Sequence, residues 1–318
     1  MKPSWPIDPA RLRRLTIGWP ARYTWPPADN WLRTIRGGIR SHRVTVDSRE
    51  IAQPTATGAV AILEAETGRN RERFVIDFED HPRVDEELAA DAALYFKLNY
   101  ATVGYPQENV VPGGYICGNP VLYRRLRLLR ALRGRPRFPW DVYGRFGLRF
   151  PSETRRRAYE ILSTSDAFRY EGSLFRYPGG PDKVPYRKYL YEITRAKVCV
   201  DMPNGGDLTF RLVEYLAPGA CVVRPRGAVS LHVPLLDGEH IAYCAPDLSD
   251  LADVCGHLVR EGGERERIAC NARRYFDRYL HRRQLAAYYL HEICRRLVPV
   301  LGLLIRGLTD NQPGLLPF

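Results

Sequence analysis

Three charged residues lie close together in an otherwise apolar stretch of the chain, between positions 196 and 226. Asp207, Arg211 and Glu214 follow a glycine-containing loop and would share one face of a helix, because residues three and four apart are neighbours there. The free N–H groups at the start of such a helix and the Arg211 guanidinium suit phosphates. The Glu214 carboxylate suits ribose hydroxyls, from which it accepts hydrogen bonds. The pattern predicts a nucleotide site; the simpler alternative is a helix cap at Asp207 and a structural Arg211–Glu214 pair.

The residues around this cluster predict the order strand, glycine loop, helix and strand. Gly205 and Gly206 allow backbone angles that other residues avoid, and they let a ligand approach the backbone closely. The helix is expected over 207–217, with Gly206 or Asp207 as its N-cap and free N–H groups in its first turn. The residues of the predicted nucleotide site are Gly205, Gly206, Asp207, Thr209, Phe210, Arg211 and Glu214.

Short apolar segments alternate with helical segments along most of the chain, which predicts an α/β fold. The simplest architecture is two Rossmann-like domains facing a cleft, with residues 1–138 in the first domain and 139–318 in the second. The first 28 residues are rich in Pro, Trp and Arg, and we expect them to form an irregular arm.

Individual strands are predicted from short apolar runs. The runs at 58–63 and 73–78 are typical of buried parallel strands. A strand at 141–143, followed by a loop at 144–147, would open the second domain.

The composition is that of a folded protein with a positive charge. Hydrophobic residues make up 45% of the 318 residues and charged residues 26%, which excludes a disordered chain. With 48 Lys and Arg against 36 Asp and Glu, the net charge is +12, so an anionic partner is expected. The basic run 124–137 predicts a solvated amphipathic helix. A nucleic-acid-binding protein is an alternative, but the chain has no recognition motif, so we do not expect nucleic acid as the partner.

The seven cysteines contain no C-x-x-C pair, which argues against a disulfide scaffold and favours a reducing compartment.

The N-terminal residues lack the apolar core of a signal peptide, and no run reaches the ~20 apolar residues of a membrane span. The histidines have no metal-ligand spacing, so no metal is predicted. We expect a cytoplasmic protein; the N-terminal arm and the segment 297–308 are the candidates for peripheral contact with the inner face of a membrane.

The stretch 196–226 resembles the donor-binding signature of GT-B glycosyltransferases, and it is most similar to the exostosin-like and spore-protein-like family 1 types. The matching pieces are Thr209-Phe210-Arg211, Glu214, Gly219 and the apolar strand at 221–223. The resemblance covers about residues 140 to 292. It implies a nucleotide-sugar donor bound by the second domain, a saccharide or lipid-linked acceptor, and no obligatory metal or other cofactor.

The resemblance also bears on catalysis. Retaining GT-B enzymes often carry two glutamates eight positions apart; Glu214 matches the second, but Gly206 stands at the first. Exostosin-like relatives invert, which requires a general base, and Asp80 and His81 after a predicted strand are our candidates. The alternative for them is a solvated acidic loop. Arg145 is predicted beside the diphosphate, or else as a surface arginine. A catalytically silent GT-B domain that only binds a sugar nucleotide is a further alternative.

Overall fold

The computed structural model describes residues 4–23, 28–54, 59–135, 137–148, 152–176 and 183–297. Within these residues the chain forms two separate large sheets and one two-stranded ladder. The prediction of an α/β fold with two sheets is confirmed, because no described strand belongs to both large sheets.

The first half of the chain supplies one large sheet and the helices around it. In chain order its elements are α1 (Pro9–Leu12), β1 (Leu15–Pro20), α2 (Asp29–Arg40), β2 (Thr45–Arg49), β3 (Val60–Thr67), β4 (Asn70–Asp77), α3 (Glu86–Asp91), β5 (Leu94–Lys97), β6 (Tyr100–Ala101), β7 (Val110–Pro112) and α4 (Pro120–Arg133). The order of strands in the sheet is β2-β1-β3-β4-β5-β7.

The prediction of an irregular N-terminal arm is wrong for β1, which lies inside the first sheet between β2 and β3. Leu15, Ile17 and Trp19 are buried, since alternate residues of a strand point to the same face. The high content of Pro, Trp and Arg around this short segment hid its alternation.

The two strands that we expected to be parallel, β3 and β4, are antiparallel along their whole length. Only Gly68 and Arg69 separate them, and Gly68 takes a φ of +63°. A two-residue connection permits a hairpin, whereas a parallel pair needs a long crossover. The first sheet is therefore mixed, with parallel pairs at β1–β2, β4–β5 and β5–β7.

The second half of the chain forms a five-stranded sheet in which every pair is parallel. In chain order its elements are β8 (Trp140–Leu148), α5 (Glu153–Thr164), β9 (Tyr170–Arg176), α6 (Tyr186–Ile193), β10 (Ala196–Val200), α7 (Phe210–Leu216), β11 (Cys221–Pro225), β12 (Val229–Ser230), β13 (Ala242–Cys244), α8 (Leu251–Arg260), α9 (Gly262–Tyr275) and α10 (Arg282–Leu297).

The strand order of this second sheet, β13-β11-β10-β8-β9, is a doubly wound order with its switch point between β8 and β10. The predicted loop at 144–147 is wrong, because β8 continues through it to Leu148. The continuous parallel ladder with β9 from Val142 to Leu148 extends the strand, and the buried Phe146 ring anchors it.

Several contacts join the two halves. The last helix, α10, packs back on α2 so closely that a methyl group on Gly38 would lie 2.4 Å from the Arg282 carbonyl oxygen. Tyr289 stacks on Phe96 of β5, with ring centroids 4.3 Å apart. β6 pairs with β12 across the junction.

The helix before the predicted domain boundary belongs with the second sheet. The Arg130 guanidinium of α4 donates to the Ala217 carbonyl oxygen at 3.0 Å and pairs with Asp277 at 2.6 Å. The boundary at residue 138 stays a prediction.

No helix in the described part of the chain is both long and apolar enough to cross a bilayer. The segment 298–308 and parts of the N-terminal arm, at 1–3 and 24–27, lie outside the described residues. Their predicted contact with a membrane therefore stays a prediction.

Candidate functional site

The carboxyl ends of β8 and β10 form the place where a doubly wound sheet binds ligands. The chain leaves β10 at Asp201, whose side chain is completely buried. Such a carboxylate requires compensation by positive charge or hydrogen bonds, because burial disfavours the ionised form. Thr209 provides one hydrogen bond, with its Oγ1 2.5 Å from Asp201 Oδ1.

Three arginines surround Asp201. Arg211 Nε lies 3.7 Å from Asp201 Oδ1, and Arg224 Nε lies 3.8 Å from Asp201 Oδ2. Both distances are too long for hydrogen bonds. These two Nε groups are buried, and neither has a hydrogen-bond partner in the structure. The third arginine, Arg155, is 3% exposed.

Arg155 holds the ends of the two strands together. Its guanidinium donates to the carbonyl oxygens of Met202 and Pro203, both at 2.9 Å, and to that of Gly147. Burial, followed by repulsion from Arg211, lowers the pKa of Arg155 to about 9. With no carboxylate within 4 Å in the described structure, this buried charge would be stabilised by an anion at the mouth of the site.

Arginine side chains are only partly paired at this edge of the sheet. Arg155, Arg211 and Arg224 lie around Asp201, and Asp207 pairs with Arg224. The carboxylates of Asp80 and Glu214 also lie beside the site. The buried Nε groups of Arg211 and Arg224 have no hydrogen-bond partner, so these donors are suited to a phosphate-bearing ligand.

The helix α7 starts three residues later than predicted. It begins at Phe210, and its N-cap is Thr209, whose Oγ1 accepts from the Leu212 N–H at 3.2 Å. The prediction of Gly206 or Asp207 as the cap is wrong. Asp207 instead accepts from Arg224 at 2.6 Å and from the Val229 N–H at 3.2 Å, so it fixes the chain after β11.

The alternative of a structural Arg211–Glu214 pair does not describe the contacts of these side chains. Arg211 is directed to Asp201, whereas Glu214 Oε1 accepts from the Tyr186 hydroxyl at 2.7 Å and contacts Cys117 Sγ at 3.6 Å. Glu214 is 6% exposed, and burial raises its pKa. Glu214 is thus a buried acceptor whose present partner, a hydroxyl, has the chemistry of a ribose hydroxyl.

Asp80 from the first half of the chain lies directly against the glycine loop of the second half. A methyl group on Gly206 would lie 2.9 Å from the Asp80 carbonyl oxygen and 3.0 Å from Asp80 Oδ1. Asn99 links the same loops, because it donates to the Glu79 carbonyl oxygen at 2.9 Å and accepts from the Leu208 N–H at 3.3 Å. The glycine at position 206 therefore leaves room for this close approach.

His81 and Phe210 also lie near the junction of the two halves. The His81 ring is half-exposed, with Nε2 3.8 Å from Glu79 Oε2. The Phe210 ring is 40% exposed and packs against Trp31 and Tyr115, with centroid separations of 4.6 and 5.6 Å. Phe210 thus helps to hold the first half of the chain against α7.

Arg145 lies on a strand and its charge is already compensated. Its guanidinium pairs with Glu192 at 2.7 Å and Glu171 at 2.9 Å, and it donates to Ser173 Oγ at 2.9 Å. Its predicted role at the diphosphate stays a prediction, but Arg155 is better placed because it lacks a carboxylate partner in the described structure. One feature of the sequence could have pointed to Arg155. This arginine lies in the first turn of a helix, where acidic residues are favoured over basic ones.

A cavity of about 140 Å³ opens beside Asp207, at the seam between the halves. Thr102 of the first half contributes to its wall, together with Arg224, Arg226 and Tyr243 of the second. The mixture of a guanidinium, an aromatic ring and a carboxylate suits a hydroxyl-rich group.

A comparison with known protein families identifies the family of the chain. A family described as glycosyl transferase-like matches residues 124–291, which is more than half of the chain. The chain belongs to this glycosyl transferase-like family. The matched region contains the switch point, the three arginines and Glu214. A search of curated protein sequences gave no match.

Solved structures show only distant likeness. HepE from Anabaena, in complex with UDP and glucose, is 15% identical with a TM-score of 0.43; the match covers 70% of this chain and 65% of HepE. TarM from S. aureus is 11% identical with a TM-score of 0.43, over 68% of this chain and 47% of TarM. The C-terminal domain of the group 1 family glycosyl transferase LpcC from Francisella tularensis is 13% identical with a TM-score of 0.34, over 43% of this chain and 84% of that domain. Sequence identities and TM-scores this low do not identify the substrate of this chain.

Proposed function

We propose that this protein is a glycosyltransferase that moves a sugar from a nucleotide-sugar donor to a hydroxyl group of a saccharide or lipid-linked acceptor. Membership of the glycosyl transferase-like family supports sugar transfer. The observation that carries the donor class is the set of three buried arginines around Asp201, two of them with unpartnered Nε groups, at the switch point of the second sheet. The exostosin-like type and inversion at the anomeric carbon belong to the proposal.

Each end of the donor has its own partners in this proposal. Arg211 and Arg155 would stabilise the diphosphate, whose negative charge grows as the sugar leaves, so the cations act most strongly in the transition state. Glu214 would accept hydrogen bonds from the ribose in place of Tyr186. Because guanidinium groups can supply the positive charge, the proposal needs no metal.

The acceptor side of the reaction requires a base. The acceptor hydroxyl would lose its proton to Asp80 or His81 and attack the anomeric carbon, while the bond from that carbon to the diphosphate oxygen breaks. Asp80 is the stronger candidate, since it lies against Gly206 and so next to the proposed donor.

Donor turnover is the direct test. Purified protein would be incubated with UDP-, GDP- and dTDP-sugars in the presence of EDTA, and release of the nucleoside diphosphate would be measured. We expect slow hydrolysis of one donor class, which saturates with donor concentration. Binding without turnover would favour the silent domain, and steeply salt-dependent DNA binding without donor binding would favour the nucleic-acid alternative.

Glu214→Gln is expected to raise the donor KM by about 10- to 150-fold, the effect of about 1.5–3 kcal/mol for hydrogen bonds to a charged group. The fold should be kept, because glutamine has the same shape and its carbonyl oxygen can still accept from the Tyr186 hydroxyl. Initial rates over a range of donor concentrations measure the effect. The control is Glu264→Gln, which makes the same change at a carboxylate of α9 that contacts His257 of α8 on the protein surface. Unchanged donor affinity in folded Glu214→Gln would exclude a ribose contact.

Arg211→Ala is expected to lower kcat about 100-fold while changing the donor KM less, because the lost charge stabilises the leaving diphosphate. Arg130→Ala is the matched control, since it also removes an Arg–Asp ion pair but one that lies at the C-terminal end of α7, away from Asp201. Steady-state kinetics and thermal unfolding of both variants separate catalysis from stability. Equal losses of kcat in the two variants would show that Arg211 acts only on the fold.

A further inference from the structure

The helix α4 carries the most basic segment of the chain, and its outer side is not covered. Between Glu108 and Asp141 the sequence contains no acidic residue. The buried residues Leu122, Leu126 and Leu129 form the inner side of α4. The exposed residues of the helix and the turn after it are Pro120, Arg124, Arg127, Leu128, Ala131, Gly134 and Arg135. Their spacing places them on one stripe of the helix.

The neighbouring helix α6 continues this surface. Arg187, Lys188 and Tyr191 are exposed, whereas its one acidic residue, Glu192, is buried against Arg145. We define the α4–α6 face as Arg124, Arg127, Leu128, Arg135, Arg187, Lys188 and Tyr191.

The two helices present their outer sides in the same direction. α4 packs on α6, and the Arg133 guanidinium donates to the carbonyl oxygens of Ile193 at the end of α6 and Lys197 in β10. Both helices bury their leucines in the same apolar cluster, together with Cys199 of β10. Val198 and Val200, the neighbours of Cys199 in β10, point to the other cluster, which contains Ala158 and Leu162 of α5. The helices α4 and α6 therefore form one layer, and α5 lies on the opposite face of the sheet.

The charges of this face have no compensation in the described structure. None of Arg124, Arg127, Arg135 and Arg187 has a carboxylate within 4 Å among the described residues, and Lys188 reaches Glu192 only at 4.0 Å. Leu128 is 50% exposed and Tyr191 is 42% exposed, so large apolar side chains stand among the cations.

We propose that the α4–α6 face docks on a lipid surface rich in anionic headgroups. The cations would lie at the headgroups, while Leu128 and Tyr191 would enter the boundary of the acyl chains, as apolar residues of interfacial helices do. Nucleic acid would be attracted by the same charge, but it would gain nothing from the exposed leucine in the middle of the arginine stripe. This inference does not depend on the proposed glycosyltransferase activity.

Co-sedimentation of the full chain with vesicles tests the proposal. We expect binding to vesicles of phosphatidylcholine with phosphatidylglycerol, little binding to phosphatidylcholine alone, and release as salt rises from about 50 to about 500 mM. The double variant Arg124→Glu/Arg127→Glu should bind anionic vesicles at least about 10-fold more weakly. Leu128→Ser should weaken binding at every salt concentration, because the apolar contribution is not screened.

The matched control is Arg156→Glu/Arg157→Glu, which makes the same charge change at exposed positions of α5, on the opposite face of the sheet. It should bind vesicles like the unchanged protein. Equal weakening by both double variants would mean attraction by net charge alone and would overturn the proposal. Absence of vesicle binding would also overturn it, as would loss of binding to duplex DNA in the α4 variant while vesicle binding is kept. Donor turnover with a soluble acceptor is measured separately, so either proposal can fail alone.

Discussion

Replacing Lys97 with methionine is expected to lower the free energy of unfolding by about 3–5 kcal/mol, the usual cost of breaking a buried ion pair by removing one partner. Lys97 is completely buried at the end of β5, and its Nζ lies 2.9 Å from both carboxylate oxygens of Asp77 at the end of β4. Without the lysine, Asp77 would remain as a buried charge with only hydrogen bonds. Urea unfolding of the purified variant measures the loss.

The double variant Lys97→Met/Asp77→Leu is the test of this explanation. It removes both charges, so it should recover much of the lost stability. Tyr95→Phe is a milder control: it removes the 2.5 Å hydrogen bond from the Tyr95 hydroxyl to the Asp77 carboxylate and should cost about 1.5–3 kcal/mol. If the double variant is as unstable as Lys97→Met, the loss comes from packing and not from the uncompensated charge.

The Asp77–Lys97 pair also determines where the next loop lies. Asp77 Oδ1 accepts from the Glu79 N–H at 2.8 Å, immediately before Asp80. The Leu98 N–H donates to the Asp77 carbonyl oxygen at 3.0 Å, and Asn99 then reaches the loop from the β5 side. The stability of the pair and the position of the candidate base are thus linked through three consecutive contacts.

The sequence predicted the second half of the fold better than the first. The order of strand, loop, helix and strand around Glu214 follows from local signals: an apolar strand, two glycines and the stop at Gly219, whose φ is +86°. The position of β1 depends on pairing with β2 and β3, which are distant in sequence. Propensity in a window of a few residues contains no information about such partners.

The same distinction explains the candidate site. Glu214 and Arg211 were found because they lie on one helix with helical spacing. Arg155 and Asp201 were missed, since Arg155 reaches Met202 across 47 positions of the sequence and its environment exists only after α5 docks on the sheet. Arg145 was predicted in a loop because it lies between Gly144 and Gly147. In the structure, pairing with β9 keeps both glycines in the strand β8.

Asp80→Asn is expected to reduce kcat for sugar transfer on the order of 10³-fold, within the range by which general bases contribute. Asparagine has nearly the same shape but cannot take a proton from the acceptor hydroxyl. The position is suitable, because Asp80 approaches Gly206 from the first half of the chain and so lies beside the proposed donor. Donor binding, measured by titration with the nucleotide sugar, should change little, since the arginines and Glu214 are untouched.

His81→Ala decides between the two candidate bases. His81 lies one residue further from the glycine loop, and its ring faces Glu79 with a half-exposed side chain. If Asp80 is the base, His81→Ala should keep kcat within a few-fold of the unchanged protein, because a side chain that neither takes the proton nor stabilises the leaving diphosphate contributes little to kcat. A large loss of kcat in His81→Ala with normal rates in Asp80→Asn would assign the proton transfer to His81. Normal rates in both variants, with donor turnover established, would place the base elsewhere and leave Asp80 as a contact that only holds the two halves together.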